Sequence, residues 1–139
     1  MKQIFVMVIA GILSIALAAG LSGLPKNIVG FEKWTRVAKN LDTGGPHAGE
    51  NKIVFANAAG AKMWSGKNPL PVGSLVVKTA GSVTSPSFVA IMKKTSKGWD
   101  YAEYTPSNGK YSLIGSGASC SGCHENAKAN DYLFTRIAK

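Results

Sequence analysis

Cys120 and Cys123 are the only cysteines of the chain, and His124 directly follows the second. Cys-x-x-Cys-His is the spacing of covalent haem attachment. Each thiol adds across one vinyl group, and two intervening residues let both sulfurs reach the same porphyrin edge. The imidazole of the next residue then lies under the ring and reaches the iron. The expected cofactor is one covalently bound haem c, attached through Cys120 and Cys123, with His124 as the iron ligand. A helix starting near Cys120 would hold that geometry, and Ser119 to Gly122 supply polar and small residues at its entrance.

Three other readings of the pair carry less. A disulfide across two residues closes a tiny loop and stabilises little. A thioredoxin-like redox pair wants a buried strand before it, whereas Gly115-Ser116-Gly117-Ala118 reads as a flexible approach. A zinc site needs two further ligands, and His47 is the only other histidine.

The setting agrees with haem, because such attachment takes place outside the cytoplasm. Met1-Lys2-Gln3 is a short cationic start, followed by an uncharged apolar run from Ile4 to Ala18. That run falls short of the about 20 residues a membrane span needs. It ends Ala16-Leu17-Ala18, a small-x-small pattern of signal cleavage. Residues 1–18 are thus expected to be a signal peptide, with an uncleaved N-terminal anchor as the other reading. Residues 19–139 then form one exported haem domain, periplasmic and free of the membrane, of a size that supports a single core. The net charge of +9 is spread over scattered lysines, with Lys93-Lys94 the longest basic run away from the leader. Such scatter suits solubility and steering of an acidic partner, not nucleic-acid binding.

Phe31, Trp34, Val37 and Ala38 recur at helical spacing, which predicts a short amphipathic helix over 31–38. Asp42 to His47 is a loop by composition. Lys52 to Ala56 reads as a strand, Ala58 to Trp64 as a short helix, Asn68 to Gly73 as a turn, and Ser74 to Lys78 as a strand. Ser87–Lys93 and Gly98–Tyr104 form a hairpin about Thr95–Gly98; Trp99, Tyr101 and Glu103 alternate there with Asp100, Ala102 and Tyr104. Strands flanked by short helices predict an α+β domain on a mainly antiparallel sheet. The helical cytochromes c and c′ do not match this pattern.

The order of motifs resembles the cytochrome P-460 family. It runs through Phe31-Glu32-Lys33-Trp34, Val54-Phe55-Ala56-Asn57, Gly73 to Lys78, Gly98-Trp99-Asp100-Tyr101, the Cys-x-x-Cys-His element, and Asp131-Tyr132-Leu133-Phe134-Thr135-Arg136. The lysine-ended strand and the Phe-Thr-Arg ending make the resemblance specific. It implies a mostly antiparallel β fold, a periplasmic homodimer, and a five-coordinate haem with an open distal face. The family includes enzymes that oxidise hydroxylamine or nitric oxide. It also includes cytochromes c′-beta, which bind nitric oxide or carbon monoxide in a hydrophobic pocket. Lys78 stands where the enzymes carry a lysine cross-linked to the porphyrin; its other reading is an exposed strand-end lysine.

The resemblance places the distal carboxylate of the hydroxylamine-oxidising members on the strand around Val89, and Asn51 to Trp99 contains no Asp or Glu. A carboxylate could still reach in from Glu32, Asp42, Glu50, Asp100 or Glu103, though none sits where the resemblance places it. An apolar distal face suits a weakly polar diatomic, with Phe55, Phe88 and Val89 as candidate lining and ordinary core positions as their alternative. His47 is assigned to a surface or structural loop role. Arg136 is a candidate partner of a haem propionate, because a guanidinium forks onto a carboxylate, or else a solvent-exposed arginine. These readings favour binding or conversion of nitric oxide or a related small nitrogen oxide. A hydroxylamine- or nitric oxide-oxidising enzyme with a Lys78 cross-link comes second. A simple electron carrier working with a redox-partner cytochrome comes third, because it wants a strong sixth ligand and only Met63 and Met92 follow the leader.

Overall fold

Apolar and β-branched runs in the middle of the chain become strands, and those over Ile53–Ala56, Leu75–Ser82 and Ser85–Thr95 hold buried residues on both faces. The computed structural model describes residues 21–39, 47 and 49–136. The signal-peptide reading over 1–18 and most of the predicted 42–47 loop lie outside them. Six strands follow in sequence order: β1 Thr35–Lys39, β2 Ile53–Ala56, β3 Leu75–Ser82, β4 Ser85–Thr95, β5 Gly98–Ser107 and β6 Lys110–Ser116. All neighbours are antiparallel, in the order β1 to β6. Two short α-helices, α1 Ala58–Met63 and α2 Ala118–His124, and 3₁₀ turns complete the single domain. The α+β expectation describes this architecture. No helix among the described residues is long and apolar enough to cross a membrane.

The sheet buries both faces. On one, Phe55, Val77, Val89 and Ile91 pack with Ile28, Phe31 and Tyr111. On the other, Val54, Val76 and Met92 pack with Leu70 and Leu133, flanked by Trp64, Trp99 and Tyr101. Burying each large apolar side chain contributes about 1.5–3 kcal/mol. A one-residue slip of any strand would exchange the two sets, so register is strongly specified.

Two predicted elements change. The helix expected over 31–38 is a single 3₁₀ turn, Phe31–Lys33, followed by β1. The apolar spacing was helical, but pairing of Thr35 with Ala56 and of Lys39 with Ile53 draws the segment onto the sheet edge, where β-branched Thr35 and Val37 fit. The approach to Cys120, expected as flexible, carries β6 up to Ser116. Asn108 and Gly109 turn the chain into that strand with φ of 51° and 77°, the conformation a two-residue hairpin loop requires. β6 is a sheet edge with Leu113 and Ile114 exposed, not the buried parallel strand of a thioredoxin-like unit.

Candidate functional site

The second face of the sheet does not close completely against the C-terminal segment. Between them lies a cavity of ≈ 810 Å³. Its sheet wall contains one cross-strand row, Val54, Lys78, Ala90, Glu103 and Gly115, each opposite the next in the ladder. The facing wall is α2 and the chain after it, which contribute Cys120, Cys123, His124, Leu133 and Phe134. Gly117 starts α2 with φ 59°, a sharp left-handed turn off β6 that suits glycine. The helix starts at Ala118, near Cys120 as expected, and the Ser119 hydroxyl donates to the Ser116 carbonyl at 2.9 Å.

Cys120 and Cys123 are free thiols, three residues apart and so on one face of the helix, with His124 four residues from Cys120 on that same face. His124 Nδ1 donates to the Tyr132 carbonyl at 2.7 Å. This bond fixes the tautomer and leaves the Nε2 lone pair free for a metal. Burial pushes the His124 pKa down, with Lys78 and His47 adding in the same direction, while the Tyr132 bond opposes it. Tyr101 and Phe134 bracket the ring, with centroids at 5.0 and 5.3 Å.

The Tyr132 carbonyl is aimed by an unusual turn. Asp131 and Tyr132 have φ of 57° and 65°, a conformation costing about 1–2 kcal/mol for each L-residue. Two backbone bonds offset part of that cost, Asp131 N to Lys128 O at 3.0 Å and Tyr132 N to Ala127 O at 2.9 Å. They end the 3₁₀ helix Glu125–Asn130 in a Schellman arrangement with aspartate where glycine is usual. The Asp131 carboxylate adds three more contacts, from Lys94 Nζ, Trp99 Nε1 and Leu70 N at 2.6, 3.2 and 2.8 Å.

Opposite His124, Lys78 reaches the cavity half-buried. Its pKa is lowered by burial first and by neighbouring Lys52 second, with Glu103 opposing. Glu103 is the one carboxylate among the described residues that lines the cavity, and its Oε2 lies 3.2 Å from His47 Nδ1. His47 stacks on Phe88 and stands edge-on to His124, with centroids at 5.5 and 6.4 Å. Tyr101 is pushed up to about 12, chiefly by burial, so its phenol keeps its proton.

Several expectations are corrected here. Phe55 and Val89 belong to the opposite face of the sheet and do not line the cavity. The strand positions were sound but the face was inverted; Val54 and Ala90, one residue away, point inward. Phe88 has the inward parity but sits behind His47. His47, assigned to a surface or structural loop role, is partly buried and lines the cavity. Arg136 is 2 % exposed and donates to the carbonyls of Met63, Trp64, Gly66 and Asn68 at 2.6–2.9 Å. It satisfies carbonyls at and just beyond the C-terminal end of α1 and is not aimed at the cavity, so neither a propionate partner nor an exposed arginine describes it. Met92 faces the cavity, packed into the second core cluster. Of the carboxylates that sequence reasoning left as able to reach in, Glu103 is the one among the described residues that lines the cavity, although it does not stand at the position the resemblance indicated. Its alternation with Tyr101 put it on the correct face, and counting back from the Ser96-Lys97 loop would have set it against Ala90.

The residues present fit a c-type haem. Two thiols and an imidazole with a free Nε2 converge on a cavity of the size that holds bound cofactors, about 300–1,000 Å³. Val54, Val76, Met92, Leu133 and Phe134 give it apolar walls for a porphyrin. Among the described residues, no cluster of three or more His, Cys, Asp or Glu could hold a metal ion. No curated protein matches the chain. The family model Cytochrome P460 matches residues 28–135, a span that includes the whole sheet, the cavity walls, and both thiols with His124. With three quarters of its length so matched, the chain belongs to the cytochrome P460 family.

Proposed function

We propose that this chain is an exported, mono-haem c-type cytochrome that oxidises a small nitrogen substrate, hydroxylamine or nitric oxide, on the open side of its haem. The observation that carries the reading is Glu103, which shares a cross-strand row with Lys78 inside the cavity closed by Cys120, Cys123 and His124. The two thiols would hold the haem and His124 its iron; a bound haem supplies a one-electron redox centre with an open coordination position. Oxidising hydroxylamine breaks its N–H and O–H bonds, and oxidising nitric oxide takes its oxygen from one water molecule; both release protons, and a carboxylate within reach lowers that barrier. Glu103 takes the proton on its carboxylate, and His47 at 3.2 Å offers the next acceptor along a path out of the cavity. Apolar walls keep bulk water and larger anions away. Tyr101, which stays protonated, can donate a hydrogen bond without competing as a base.

Lys78 occupies the family position of the porphyrin cross-link. Burial and the Lys52 charge favour its neutral, nucleophilic form, which supports that assignment. Electrons leave one at a time, so the partner is a one-electron acceptor such as a second cytochrome, steered by the net charge of the exported chain, which is +8 once Lys2 leaves with the leader. Periplasmic location and a homodimer complete the proposal. The apolar walls also suit reversible binding of nitric oxide, which is the second reading. Mixing the haem-loaded protein with hydroxylamine and an artificial one-electron acceptor separates the two. Sustained acceptor reduction is expected; nitric oxide binding without any turnover would leave the binding reading in its place.

A further inference from the structure

We infer that the Asp131–Tyr132 turn is a clamp that positions the iron ligand: the Asp131 carboxylate, tied to Leu70, Lys94 and Trp99, holds the Tyr132 carbonyl on His124 Nδ1. The inference rests on the haem reading above, with His124 as the ligand.

The clamp uses both oxygens of one buried carboxylate. Oδ1 accepts from Lys94 Nζ at 2.6 Å and Trp99 Nε1 at 3.2 Å, and Oδ2 accepts from Leu70 N at 2.8 Å. The Asp131 side chain is 5 % exposed. Its donors come from β4, β5 and the turn before β3, so the carboxylate cannot rotate without losing at least one of them. Lys94 also lies over the Trp99 ring, 4.8 Å from its centroid, which holds the two donors together. Glycines at 131 and 132 would make the same turn at no steric cost but would leave its carbonyl unanchored. Here two L-residues with side chains are held at φ 57° and 65°, and the consequence is a 2.7 Å bond to the imidazole. A capped helix end needs no such bond to a side chain eight residues back. An imidazole whose Nδ1–H is firmly accepted is a more basic donor through Nε2 and favours the more oxidised metal. Asp131 and Trp99 are thus positioning residues, joining the sheet to the electronic state of the iron.

The test compares haem-loaded wild type with Asp131→Asn and Trp99→Phe, reading the ferrous iron–histidine stretch and the reduction potential. Both variants are expected to lower the stretching frequency and raise the potential. For Asp131→Asn the shift is about tenfold in the ferrous-to-ferric ratio at fixed ambient potential, ~59 mV for one electron; for Trp99→Phe it is smaller. Haem-loaded variants with the wild-type stretch and potential would reduce the turn to a structural cap. If Asp131→Asn does not retain haem, Trp99→Phe and Lys94→Met, each removing one contact, decide the question by the same two readouts. Wild type without haem would sink the proposed function alone. The ¹⁵N shift of His124 Nδ1 in that haem-free protein would then still report the clamp, moving in Asp131→Asn if the clamp exists and staying put if it does not.

Discussion

Glu103→Gln is expected to slow oxidation of hydroxylamine or nitric oxide by about 10²–10⁴-fold, the usual contribution of a positioned base. Glutamine keeps the size and the hydrogen-bonding capacity of the side chain and removes only its ability to take a proton. Glu103 sits at the register shift between β5 and β6, where Glu103 pairs Gly115 and Tyr104 pairs Leu113. Bulges of this kind re-aim side chains beside active sites, and the substitution leaves the backbone that forms it untouched. Haem content and carbon monoxide binding should therefore match wild type while turnover collapses. A variant that turned over at the wild-type rate would show that protons leave by another route, and the weight placed on the Lys78–Glu103 row would be lost.

Replacing both cysteines, Cys120→Ser with Cys123→Ser, is expected to abolish thioether-linked haem entirely. α2 is the only element that brings these two side chains to the cavity, and serine hydroxyls do not add across a vinyl group. The same variant reads out Lys78. If haem extracts freely into acidified organic solvent, the thiols are its only covalent anchors. If it stays bound and is released only when Lys78→Ala is added, the lysine is a third anchor. Retention in the triple variant would contradict the assignment of all three attachment points.

How much of this was legible in the sequence depends on which interaction decided each feature. The Cys120–His124 element is local, and its chemistry follows from spacing alone. The hairpin about Thr95–Gly98 was equally readable, since alternation and a turn lie within a few residues of each other. The face of each strand was harder. Phe55 and Val89 are as apolar as Val54 and Ala90, both faces of the sheet are buried, and polarity therefore gives no sign of which side holds the cavity. Register does give it, and the two-residue loop between β4 and β5 sets Ala90 against Glu103. The Asn108-Gly109 pair is a hairpin signal that the sequence reading did not use, and β6 beyond it, with Leu113 and Ile114 exposed, offered no burial pattern to find it by. The helical spacing of Phe31 to Ala38 was real but weaker than the ladder that β2 offers. Arg136 and Asp131 could not be placed from sequence at all. Their side-chain partners lie 61 to 73 residues away, except Lys94 and Trp99 against Asp131, which are themselves more than 30 residues distant.

The central claim is a haem held by Cys120, Cys123 and His124 with its other side open to the Lys78–Glu103 row. The absorption spectrum of the ferrous protein, recorded with and without carbon monoxide, tests it most directly. The account predicts a haem spectrum that carbon monoxide changes at once and stoichiometrically, because no protein side chain fills the sixth position. A ferrous spectrum that carbon monoxide leaves unaltered would mean a sixth ligand such as Met92, an electron carrier, and no open site for Glu103 to serve.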